Sequence, residues 1–215
     1  MARLPTATRV TVPLPWGMSS PMKRFFVAAA AALCLISSPV FAGGDAPSNF
    51  IDGLAQQVLS IVKSEGDKDA KRQKIEAIFT DKVDMDFIAR FVVGKSWRSA
   101  TPAQQQAYIA AYKPFILKNY ASRLTKYSGQ TYSLKKSRSE EGSSIVTMEI
   151  ADTNGQSFLV DYRLKAGGGG YKIQDIIVEG VSLLTTQRQE FASIIDQKGI
   201  DGLTDALKTQ VASKQ

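Results

Sequence analysis

Three groups of residues have types and spacings that could do chemistry. Asp81, Asp84 and Asp86 form an acidic cluster. It resembles part of a calcium loop, but such a loop needs a mid-loop glycine, and Asp86 is followed by Phe87 and Ile88. Capping of a following helix is the better reading. Asp175 stands between Ile173 and Ile176-Ile177. A carboxylate facing apolar surroundings can act as a base, with Tyr132 or Tyr162 as an electrophile. The favoured alternative is a structural acid paired with an arginine or a helix start, because no second activating group is identifiable. Gly167 to Gly170 is a glycine run with no lysine and no helix after it. It reads as a hairpin loop and not as a phosphate cradle.

What is missing decides more than what is present. The chain has no histidine, and its one cysteine is Cys34. Serine–histidine and cysteine–histidine catalysis are thereby excluded, as are the zinc sites that need those residues. The net charge is +7, but residues 1–42 hold Arg3, Arg9, Lys23 and Arg24 and no acid. The remainder has 23 basic and 20 acidic residues, a net +3. A globule so mildly basic is not a nucleic-acid binder by charge.

Residues 1–42 read as a signal peptide region. From Met22, the expected start, Lys23 and Arg24 precede an apolar run from Phe25 to Ile36, and Val40-Phe41-Ala42 supplies small residues for cleavage. The run is too short for a membrane anchor. Cys34 lies inside it after Leu33, where a lipoprotein signal wants a small residue. Residues 43–215 then form a single domain without cysteine, suited to an oxidising compartment.

The domain opens with a short lead over 43–48. Phe50, Leu54, Val58 and Ile61 recur at helical spacing, and Gly66 ends that helix. Further helices are expected over 68–79 and 84–94. Thr101-Pro102-Ala103-Gln104 is a capping box opening a long helix, with Pro114 inside it. From Gln130 the period becomes two. Val146, Met148 and Ile150 alternate with Thr147 and Glu149, Asn154-Gly155 marks a hairpin, and Phe158, Val160, Tyr162 and Leu164 alternate with Asp161 and Arg163. A further strand follows from Tyr171. Thr186 and Gln189 suggest another capping box for a helix to Gly199, and Asp201 opens a last one. The fold class is α+β: a curved antiparallel sheet of four or five strands wrapped by about six helices and enclosing an apolar pocket.

Phe87, Phe91, Tyr108, Phe115, Tyr120, Met148, Phe158 and Tyr162 each suit an ordinary core. Together they fill a wide apolar seam of the kind a long-tailed ligand needs. Each buried methylene contributes roughly 0.8 kcal/mol, so acyl chains alone supply ample gross affinity.

Several segments resemble the MlaC family, periplasmic phospholipid shuttles also known as toluene-tolerance auxiliary proteins. Val93-Gly94-Lys95-Ser96-Trp97-Arg98-Ser99-Ala100-Thr101-Pro102-Ala103-Gln104 is similar to that family's G-x-x-W/Y-x-x-A-T-P-x-Q segment. Tyr108 and Tyr112-Lys113-Pro114-Phe115 follow it, then Tyr127 to Tyr132. The most specific stretch is Tyr171-Lys172-Ile173-Gln174-Asp175-Ile176-Ile177-Val178-Glu179-Gly180-Val181-Ser182, running on to Gly199-Ile200-Asp201-Gly202-Leu203. The resemblance implies a monomeric periplasmic carrier with a bound phospholipid as cargo, helping to maintain outer-membrane lipid asymmetry. It implies as partners an inner-membrane ABC transporter with an MCE-domain subunit and an outer-membrane lipoprotein complex. It implies no catalytic residues, no metal and no cofactor. Face parity makes Tyr132, Val146, Met148, Ile150, Phe158, Val160, Tyr162 and Ile173 the sheet side of the lipid-binding pocket. Phe87, Phe91, Trp97, Phe115, Ile116 and Tyr120 make the helix side. Two alternatives stand: a carrier of another lipid such as a hopanoid, and a small enzyme using Asp175 as base.

Overall fold

The computed structural model describes residues 45–124 and 129–213, with the backbone alone for 121–124. The expected signal region lies outside the described residues. Asp45 accepts a hydrogen bond from the Ser48 amide (3.1 Å) and Pro47 sits in the first turn, so α1 (Ala46–Lys63) begins inside what the sequence suggests is a lead. Asp67 caps α2 (Lys68–Lys82) in the same way. Asp84 caps α3 (Met85–Val93) by accepting from the Phe87 amide at 3.2 Å, which is the helix-capping role expected of the acidic cluster.

A short α4 (Lys95–Ser99) has no counterpart in the sequence reading; five residues are too few to show a helical period. The Thr101–Gln104 capping box forms in both directions, at 3.0 and 3.3 Å, and opens α5 (Pro102–Leu124), which runs on through Pro114. Gln104 also donates to Asp201 at 2.8 Å, tying this end to the last helix.

Strands β1 (Thr131–Glu140), β2 (Ser143–Ala151), β3 (Ser157–Gly167), β4 (Gly170–Val178) and β5 (Val181–Ser182) form one antiparallel meander in chain order. The register carries two shifts. One lies near Lys135; the other leaves Gln174 as an extra residue between Ile173, opposite Leu164, and Asp175, opposite Arg163. Such a bulge re-aims the side chains that follow it.

The last helix starts earlier than expected. Ser182, not Thr186, caps α6 (Leu183–Ala212), accepting from the Thr185 amide at 2.9 Å, while the Thr186 hydroxyl donates to the Ser182 carbonyl. The expected break at Gly199 is present as a kink with φ 67° and ψ −179°, a conformation essentially reserved for glycine.

Two large apolar bodies result. One is helical: Val92, Tyr108, Tyr112, Phe115, Phe191 and Leu203 bring α3, α5 and α6 together. The other lies on the sheet, where Val146, Met148, Ile150, Val160 and Leu164 are covered by Ile51 and Ala55 of α1. Tyr132 donates to Asp52 at 2.8 Å and fixes α1 across that face. A smaller group, Val58, Ile75 and Ile78, joins α1 to α2.

Candidate functional site

An apolar cleft lies where these bodies meet. Phe79 and Val83 come from the end of α2 and the residue after it, Ile88 from α3, and Tyr112, Ile116 and Tyr120 from α5. Ile173 to Ile176 of β4 and Leu183, Leu184 and Gln187 of α6 complete the wall. The α5 residues recur at i, i+4 and i+8, so one helical stripe faces the opening. The α2–α3 junction is held against β4 by a backbone bridge between Val83 and Ile173, with the Asp84 amide donating to the Ile173 carbonyl at 2.9 Å. Phe79 and Tyr120 stack across one end, with ring centroids 6.4 Å apart.

The inner cavity is about 70 Å³, while the cleft counted out to its open mouth holds about 480 Å³. The inner figure is about half of the roughly 150 Å³ engineered cavity that accepts benzene. The enclosed part of the cleft is therefore smaller than a cavity that holds benzene.

The structure brings Ile116, Tyr120 and Ile173 to this cleft and distributes the other expected lining residues elsewhere. Val146, Met148, Ile150, Phe158, Val160 and Tyr162 pack under α1 in the sheet body, with Tyr132 at its margin. Phe91, Trp97 and Phe115 belong to the helical body. Phe87 is 38% exposed and meets Phe91, with ring centroids 5.8 Å apart. Face parity tells which side chains turn inward, not which element covers them. Val83, Leu183 and Leu184 escape it because they sit at junctions between elements.

The polar groups on the wall are committed to structure, with one exception. Asp175 is 8% exposed. Its Oδ1 accepts from the Ile176 amide (2.8 Å) and the Leu184 amide (3.1 Å), and its Oδ2 accepts from the Ser182 hydroxyl (2.6 Å). Burial pushes this carboxyl above its ordinary range; those hydrogen bonds and Arg163 pull the other way. The residue is thus a brace for the start of α6. The Tyr132 hydroxyl is likewise spent on Asp52, and Tyr162 is buried in the sheet body, where desolvation holds its hydroxyl protonated. Gln174 donates to Asp84 at 2.9 Å. Tyr112, fully buried, donates to Gln187 Oε1 at 2.6 Å, and desolvation keeps its phenol protonated far above the usual value. The exception is Gln187 Nε2, which is buried without a hydrogen-bond partner.

A sequence signal for Gln187 exists. Leu184, Gln187 and Phe191 lie at i, i+3 and i+7 on the buried stripe of α6, so an amide occupies an apolar position. Of the basic residues on α5, Lys113 pairs with Asp86 at 3.0 Å and Lys118 donates to the Val211 carbonyl. No cluster of metal-ligating side chains occurs among the described residues, and none of their helices is long and apolar enough to cross a membrane.

Comparisons with known proteins agree with one another. The chain is 25% identical over 162 residues to toluene tolerance protein ttg2D of Pseudomonas putida, covering 72% of this chain and 75% of that protein. It is 24% identical over 126 residues to the intermembrane phospholipid transport system binding protein MlaC of Haemophilus influenzae, covering 56% of this chain and 59% of that one. Among solved structures, a phospholipid-binding protein from Ralstonia solanacearum, determined in complex with a phospholipid, superposes with a TM-score of 0.68 at 25% identity. That match covers 79% of this chain and 98% of the other. The family model described as MlaC protein matches residues 52–209, which among the described residues takes in the six helices and the whole sheet apart from the ends of α1 and α6, and the chain therefore belongs to the MlaC family.

Proposed function

We propose that this protein is a periplasmic carrier that binds a phospholipid by its acyl tails and moves it between the outer and inner membranes. The observation that carries the reading is the apolar cleft between two packed bodies, whose one buried carboxylate is consumed in bracing a helix. Such a wall supports binding and offers no free group for catalysis. The phospholipid found in the Ralstonia relative supplies the class of cargo. Ile116, Tyr120 and Ile173, together with Phe79, Val83 and Leu184, are the residues proposed to touch hydrocarbon. At roughly 0.8 kcal/mol per buried methylene, a partly enclosed tail suffices for useful affinity while the headgroup stays in water. Release to an inner-membrane ABC transporter with an MCE-domain subunit, and exchange with an outer-membrane lipoprotein complex, complete the proposed cycle. A monomer suits such a shuttle, and residues 1–42 are proposed as its export signal.

The test is lipid mass spectrometry of gently purified protein, followed by uptake from phospholipid vesicles. Wild type should carry stoichiometric phospholipid, and Ile116→Trp, which fills the cleft, should carry several-fold less. Lipid-free wild type that takes up nothing from vesicles would overturn the proposal.

A further inference from the structure

We propose that Gln187, locked in place by Tyr112, donates a hydrogen bond from Nε2 to an ester carbonyl oxygen of the cargo, so that the cleft selects ester-linked acyl lipids over ether-linked or purely hydrocarbon ones. This rests on the carrier reading above and adds to it a determinant of lipid class.

The geometry fixes which way the amide points. Tyr112 is 0% exposed and its hydroxyl lies 2.6 Å from the Gln187 oxygen. With the phenol donating, one group of the pair is left unpartnered, namely the Gln187 nitrogen. Turning the amide over would leave two, the carboxamide oxygen and the phenol hydrogen. The first arrangement is therefore preferred. Gln187 is 6% exposed, and its Nε2 is the only buried side-chain nitrogen or oxygen without a partner among the described residues. Gln187 belongs to the cleft wall beside Leu183, Leu184 and Ile176, whose side chains offer no acceptor. The neighbouring carboxylate of Asp175 has both oxygens occupied.

A buried amide without an acceptor is costly, and an alkyl chain does nothing to relieve it. A carbonyl oxygen does. Ester-linked acyl chains carry such an oxygen at the root of each tail, where it enters the cleft with the first methylenes. An ether lipid of the same chain length and headgroup lacks it, and so does the polycyclic hydrocarbon body of a hopanoid. The expected discrimination is about tenfold, the scale of one hydrogen bond made in one complex and lost in the other.

The experiment offers the protein mixed vesicles of a diacyl phosphatidylglycerol and its dialkyl ether analogue, and quantifies bound lipid by mass spectrometry. Wild type should enrich the diacyl form about tenfold, and Gln187→Met, of similar length but without a donor, should bring the ratio to about one. Infrared spectra of bound lipid with ¹³C-labelled carbonyls should show a band displaced to lower frequency, absent from Gln187→Met. The infrared measurement on wild type needs no variant and decides the matter if Gln187→Met does not fold. An equal ratio in wild type with an undisplaced carbonyl band, or an enrichment identical in both proteins, overturns the assignment and leaves the carrier reading standing. Uptake of neither lipid by wild type removes the carrier reading and this inference with it.

Discussion

Asp175→Ala tests whether the buried carboxylate on the cleft wall is a brace. The substitution strips the acceptor from two backbone amides, Ile176 and Leu184, the second of which sits in a residue only 9% exposed. Ser182 keeps its own role as cap, since its hydroxyl oxygen still accepts from the Thr185 amide. An orphaned buried donor costs about 1–3 kcal/mol. Two such donors set an upper bound of about 6 kcal/mol, also from that range. Two effects reduce it: Ile176 is only half-buried, and burial already disfavours the ionised carboxyl, so its removal returns part of the desolvation cost. We expect a loss of about 3 kcal/mol, or roughly 6–12 °C in Tm at this chain size. Asp175→Asn retains an oxygen for both amides and places its NH₂ opposite the Ser182 hydroxyl, which can turn to accept. Its expected loss is below about 1 kcal/mol. Urea denaturation of the three proteins, followed by far-ultraviolet circular dichroism, gives the comparison directly. An alanine variant as stable as wild type would refute the reasoning, and so would an asparagine variant as damaged as the alanine one, because the charge itself would then be what matters.

Other perturbations separate backbone, cap and charge. Gly199→Ala forces a side chain into φ 67° and ψ −179° where no neighbouring atom obstructs it, so the expected loss of about 1–3 kcal/mol is purely conformational; calorimetry reads it as a lower Tm, and an unchanged Tm counts against the kink. Thr101→Ala breaks the reciprocal cap of α5 and should cost about 1 kcal/mol in denaturant titration, whereas Thr101→Ser should cost much less. Burial raises the Glu190 carboxyl above its ordinary 4.5, so the folded chain holds that proton to higher pH than the unfolded chain does. Stability from this group is therefore lost as pH rises from 4.5 through the raised value. Glu190→Gln should be more stable than wild type at neutral pH, with the gain vanishing below pH 4.5; a gain that persists in acid would contradict the assignment.

Much of the fold is legible in the sequence because its signals are local. The Thr101–Gln104 box, the alternation over Val146 to Ile150, and the break at Gly199 each depend on residues within a few positions of one another. The start of α6 is different. Ser182 and Thr186 are both credible caps by composition, and what selects Ser182 is Asp175, seven residues upstream and across a turn. The cleft was the least legible part. Alternation correctly turns Met148 and Val160 inward, but it does not show that α1, fastened by Tyr132 to Asp52, packs over them. The bulge at Gln174, which alters the aim of Asp175, leaves no mark in the hydrophobic pattern.

The close approach within α6 bears on how the molecule can move. A Cβ at Gly202 would stand 2.3 Å from that of Lys198, so the two limbs on either side of the bend are nested too tightly for any other residue. A knee folded this far has one stable angle. The far limb, carrying Leu203 and Leu207, is held in the helical body by that bend together with the Gln104–Asp201 and Lys118–Val211 hydrogen bonds to α5. Should the walls of the cleft shift, the bend is expected to travel as a rigid bracket, leaving the yielding to be done by the contacts around it.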